Sequence, residues 1–139
     1  MWIVYGLLSA LTAALMTIIG KIGLKQVDPT LATGIRSLFM FIFMAAVVVA
    51  SGKLKTIGTV SAKEYLFIIG AAVFGAASWL FYFLGLKATT ASKLASLDRL
   101  SLPFIIAASL LFLGETFSWQ LAGGGALVTA GAILIATAK

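Results

Sequence analysis

An acid and a base stand side by side in a stretch that is otherwise apolar: Asp98 and Arg99, among Leu94, Leu97, Leu100 and Leu102. A charge held inside lipid costs about 3 kcal/mol on insertion scales. Asp98 has a short side chain about two turns into its apolar run, so it must protonate, pair with a cation or face a wet cavity. Arg99 offers such a cation. At about 100° per residue, Thr89, Ser92, Ser96, Arg99 and Pro103 fall on one helical stripe, a polar face leading inward. Pro103 carries no N–H, so the carbonyl of Arg99 loses its usual helical partner and a kink is expected there. Irregular backbone at this depth is tolerated where it is buried in protein or lines a cavity. Lys21, Lys25, Arg36 and Lys93 lie nearer the ends of apolar runs. Each is either a boundary anchor that snorkels to the headgroups or a lining residue of a polar pathway.

Other chemistry is excluded by composition. The chain has no Cys and no His, which removes a disulfide, a thiolate nucleophile, a Ser–His pair and any His metal site. A single intramembrane Asp supplies no carboxylate dyad within one chain. No enzyme, metal or cofactor is therefore expected. Ten Lys and Arg against four Asp and Glu give a net charge of +6, which in a soluble protein would suggest nucleic acid. Here the basic residues are strung singly between apolar runs, with no basic patch and interleaved aromatics, and they read as membrane-boundary charges.

The elements that must position these residues are helices in lipid. Of 139 residues, 62% are hydrophobic and only 10% charged, too few polar groups to clothe a soluble domain. At about 20 residues per span, the apolar runs fit about five crossings, at approximately 2–20, 31–50, 65–86, 90–113 and 119–138. The first is long and has no basic residue ahead of it, so it reads as a retained span, with helix continuing as far as Val27. Asp28-Pro29-Thr30 makes the turn into the second. Residues 51–62 form the longest connector. Ser61 and Glu64 match a capping box ahead of the third span. Trp2, Tyr65 and Trp119 stand at span ends, where amphipathic rings favour the headgroup level, whereas Trp79 and Tyr82 fall within the third span. Glu115 reads as an acid favoured near the N-terminus of the fifth helix. Small residues four apart (Gly6, Ala10 and Ala14; Ala71 and Gly75; Ala122, Ala126 and Ala130) suit close helix packing, and Gly123-Gly124-Gly125 lies inside an apolar helix without the Lys-Ser/Thr of a phosphate loop. With no internal repeat or linker, residues 1–139 read as one domain. An odd number of spans puts the termini on opposite faces of the membrane.

Several stretches resemble a known family. Leu111-Phe-Leu-Gly-Glu115, followed by Trp119-Gln120-Leu-Ala-Gly-Gly and Gly131, resembles the end of the EamA-type unit of the drug/metabolite transporter superfamily. Gly20-Lys21-Ile-Gly-Leu24 and Leu31-Ala-Thr-Gly-Ile-Arg36 are similar to the start of its small bacterial and archaeal members. Ser78-Trp79-Leu-Phe-Tyr82-Phe resembles their third span. Ala91 to Ser101, with Asp98-Arg99 where an Asp-Lys pair is usual, resembles their fourth. The resemblance implies a single EamA-like unit in a bacterial or archaeal cell membrane, where larger relatives carry two such units in inverted orientation about a central cavity. It implies no particular substrate.

The function expected is secondary transport or export of a small polar metabolite by alternating access in a homodimer. Asp98, Arg99, Lys21, Arg36, Lys93, Trp79 and Tyr82 are the candidate substrate or ion pathway. Arg99, Lys21 and Arg36 would bias it positive, with Asp98 as internal counter-ion or as carrier of a coupling proton. That bias favours an anionic or zwitterionic substrate. The alternative is a non-transporting membrane subunit that stabilises or places a partner. Connector charge points weakly to an outside N-terminus, and barely fixes orientation if Lys93 turns into the cavity. Lys53, Lys55 and Lys63 fall on the face of the N-terminus, against Lys21, Lys25, Lys87, Lys93 and Lys139 opposite, joined by Arg36 and Arg99 if these reach that face. An antiparallel dimer of oppositely inserted chains is therefore expected, with a parallel dimer as the rival.

Overall fold

The computed structural model describes residues 1–138, so Lys139, counted above with one face, lies outside the described residues. Among the described residues all regular structure is helical, and five stretches are long and apolar enough to cross a membrane. Helix α1 spans Trp2–Gly23, α2 Pro29–Ala50 and α3 Ala62–Ala88. The fourth stretch is two helices, α4 at Ala91–Asp98 and α5 at Ser101–Phe112, and the fifth is α6 at Trp119–Thr137. Large apolar side chains such as Leu7, Phe41, Phe74, Phe104 and Leu127 stay exposed all round these helices, as lipid-solvated spans require.

Local signals start and stop the helices. Asp28 is extended (φ −64°, ψ 133°), and its carboxylate accepts from the N–H groups of Thr30 and Leu31 at 2.9 and 3.0 Å, with Pro29 opening α2. Ser61 and Glu64 form the expected reciprocal cap. The Ser61 N–H donates to Glu64 Oε2 at 2.7 Å, and the Glu64 N–H donates to Ser61 Oγ at 3.3 Å. Ser118 caps α6 by accepting from the Leu121 N–H at 3.1 Å.

Three expectations need correction. Helix α1 ends at Gly23 and does not run on to Val27, and the Lys25 N–H bonds back only three residues, to the Ile22 carbonyl at 3.4 Å, as the chain leaves the helix. The long connector stands as expected, with one addition: Lys53–Thr59 within it winds as a 3-10 helix that packs on α2. The span expected at 90–113 is broken at Arg99 and Leu100, so Thr89 to Pro103 is not one continuous helical stripe. Glu115 serves the end of α5 instead of the start of α6. Its N–H donates to the Ser109 carbonyl at 3.3 Å, and its Oε2 accepts from the buried Ser109 hydroxyl at 2.8 Å. Gly114, at φ +67°, takes the left-handed conformation that this reversal needs.

The packing falls into two compact units. One comprises the first 21 residues with the chain from Ala88 onward, and the other comprises Ile22–Lys87. In the first, α6 packs on α4 and α5, burying Ser96, Ser109, Gly125 and Ala132. Close approach is possible because Gly125 has no side chain: a Cβ there would meet Ile106 Cδ1 at 3.1 Å. Gly123 and Gly124 face open space, and Gly6, Ala10 and Ala14 are exposed. In the second unit Leu24, Thr33, Phe83 and Leu86 are buried. There Lys87 Nζ donates to the carbonyls of Leu24, Lys25 and Val27 at 2.6, 3.2 and 3.2 Å. This cation satisfies carbonyls of the connector between α1 and α2.

Candidate functional site

In the unit formed by Ile22–Lys87, an arginine meets an aromatic cluster. The guanidinium carbon of Arg36 lies 3.7 Å from the Trp79 ring centroid and 5.6 Å from that of Phe83. Trp79 in turn contacts Tyr82 and Phe83 edge-on, at centroid distances of 5.7 and 6.3 Å. Helix geometry brings these levels together. Arg36 lies seven residues past the start of α2 and Trp79 nine residues before the end of α3, about 11 and 14 Å along their helices. Lys87 fastens the end of α3 to the connector ahead of α2, so both distances are counted from the same end.

Stacking on Trp79 compensates a half-buried cation by about 1–2 kcal/mol, yet it uses only the face of the guanidinium. Its five N–H donors point outward in the plane. Among the described residues none of them meets a carboxylate or carbonyl. Such a planar, partly desolvated fork matches a carboxylate or phosphate.

In the other unit, the α4–α5 break carries Asp98 and Arg99. The N–H groups of Arg99 and Leu100 bond three residues back, to Ser96 and Leu97, at 3.1 and 3.0 Å. The Arg99 carbonyl, deprived of a donor at Pro103, accepts from the Leu102 N–H at 3.0 Å instead. The missing proline N–H thus tightens the chain one turn upstream, while Pro103 itself sits comfortably in the first turn of α5. Leu97, Asp98 and Arg99 are consecutively exposed, directly after buried Ser96. Neither charged side chain has a partner among the described residues.

Of the sequence-derived candidates, the structure thus brings Arg36 onto Trp79, whose ring touches Tyr82 on the same helix. It places Asp98 and Arg99 side by side in a helix break. Lys21 donates to the Thr89 carbonyl at 2.7 Å, which ties α1 to the residues ahead of α4. Lys93 is half-buried on α4. Phe83 and Lys87 escaped the sequence reading. The i, i+4 spacing of Trp79, Phe83 and Lys87 was the signal that could have marked one working face of α3.

Comparison with known proteins identifies the family. The EamA-like transporter family matches residues 1–137. The chain belongs to that family and is a multi-pass membrane protein. A protein of Sinorhizobium sp named as an uncharacterized transporter in the cobO 3'region is 36% identical over 135 residues, covering 97% of this chain and 96% of the relative. No solved structure matches.

Proposed function

We propose that the protein is a secondary transporter of a small anionic or zwitterionic metabolite, working by alternating access as a homodimer. Residues 1–139 act as a single EamA-like unit in this reading, in the cell membrane of a bacterium or archaeon. The observation that carries it is the Arg36 guanidinium laid on Trp79, with its N–H edge turned to no carboxylate of the described residues. Stacking leaves the donors of this half-buried cation unused, and an anion that met them would offset the rest of its desolvation. Trp79, Tyr82 and Phe83 offer apolar ring surface beside that fork, so a carboxylate with a small apolar body fits the cluster best. Asp98 and Arg99 supply an acid and a base within a helix break, the kind of irregular element around which transporter sites are built.

The test is a thermal-shift series on detergent-purified protein with matched carboxylates, zwitterions, amines and uncharged amides. A compound that binds the folded state well above its Kd raises the melting temperature. Stabilisation by carboxylates or zwitterions, lost in Arg36→Gln, followed by counter-flow of the same compound in proteoliposomes, is the expected outcome. Stabilisation by amines alone would overturn the substrate class, and binding without counter-flow would overturn transport.

A further inference from the structure

Asp98 and Arg99 lie close to the middle of the fourth span, which runs from Ala91 to Phe112. Its midpoint falls near residue 101, so both residues are only about 4–5 Å from it at the usual helical rise. Neither reaches water from there by snorkelling, and Asp98 has no length to try. Both are exposed on the chain's surface and neither has an intrachain partner among the described residues. They cannot satisfy one another, because neighbours on a helix point about 100° apart. One surface therefore carries an adjacent acid and base, both unmet, at a depth where an unmet charge is untenable.

Such a patch is self-complementary. A two-fold interface presents the same surface from both copies, so that residue i of one meets residue j of the other and the reverse. A patch with one sign of charge would repel itself there, whereas an acid beside a base closes into two equal ion pairs. Resting on the homodimer of the preceding section, we propose that Asp98 of each protomer pairs with the partner's Arg99, and that this reciprocal pair is the polar centre of the dimer interface. Its closeness to the midpoint makes the pairing possible in either dimer orientation. For oppositely inserted chains the offset along the membrane normal is about 9 Å, within the combined reach of an arginine and an aspartate.

The experiment is a charge exchange read as dimer formation between differently tagged full-length chains, co-expressed and captured on one tag in mild detergent. Asp98→Arg makes the patch doubly basic and Arg99→Asp makes it doubly acidic. Each variant alone should lose most of its dimer, and the two co-expressed should form a mixed dimer in roughly tenfold excess over either homodimer, because like charges juxtaposed at an interface are strongly disfavoured. The double exchange Asp98→Arg/Arg99→Asp restores both pairs in reversed sense and should dimerise as the wild type does. That holds even where the single variants fail to accumulate. Wild-type dimers whose formation ignores these substitutions would overturn the pairing and leave the dimer standing. So would failure of the double exchange. Absence of any wild-type dimer would overturn both.

Discussion

At the scale of single residues, the decisive positions are those whose chemistry has no place in lipid. Asp98→Asn keeps shape and hydrogen bonding but removes the charge, and it should abolish most transport while the protein still folds. Counter-flow of Asp98→Asn at the wild-type rate across pH would mean that the residue is neither counter-ion nor proton carrier. Arg99→Lys should retain more function than Arg99→Ala, because an ammonium still faces an acid. Equal loss of folded protein in both variants would count against a simple charge role. Arg36 should behave in the opposite way. A lysine there keeps the charge but loses the planar stack on Trp79 and the two-pronged edge, so Arg36→Lys should weaken ligand-induced stabilisation nearly as much as Arg36→Gln. Trp79→Leu should cost about 0.5–2 kcal/mol of stability through the lost cation–π contact. The sequence alone marked Arg36 and Trp79 as candidates, each for being out of place. It could not pair them, since 43 positions separate them and only the antiparallel run of α2 and α3 brings them level.

At the scale of elements, short-range chemistry was readable and long-range consequence was not. The Asp28 cap and the Ser61–Glu64 box involve residues two or three apart, so the sequence carries the whole interaction. The proline effect was foreseen at the Arg99 carbonyl, but not that the chain would respond by dividing one span into α4 and α5. The role of Glu115 was misread because its partner, Ser109, lies on the helix before it and not on the one after. Pro103→Ala restores the donor that the Arg99 carbonyl lacks, so thermal stability should hold or rise while transport slows. Unchanged counter-flow would show the break to be incidental. Gly125→Leu places atoms where Ile106 already reaches, and should destabilise the α5–α6 contact by about 1–3 kcal/mol. Ile106→Ala in the same chain should recover part of that loss.

At the scale of the whole molecule, five crossings would leave the termini on opposite faces, and connector charge favours one of the two insertions only weakly. The native chain has no Cys, so a single introduced one reports its side without interference. Cysteines at Ser51 and, in a separate protein, at Thr30 should each label partially from both sides of the membrane if the dimer is antiparallel. One-sided labelling of each, in protein that still transports, would rule the antiparallel dimer out. That five stretches are helical, long and apolar enough to span a bilayer was legible from hydropathy alone, because lipid imposes helix and length together. How copies meet was not legible, since it depends on which side of each helix is left uncovered.

The sparse interior has a consequence for how unfolding is watched. Leu24, Pro29, Phe83, Leu86 and Ala132 are the buried apolar side chains of the described residues, while most backbone hydrogen bonds of each span lie within its own helices. Drawing the helices apart in a micelle exchanges a few side-chain contacts for detergent and breaks almost no backbone bonding. Far-ultraviolet circular dichroism should therefore stay nearly flat on heating, well past the point where function is gone. Indole emission from Trp79, freed from its guanidinium, will instead register the event, and melting curves taken by the two signals should not coincide.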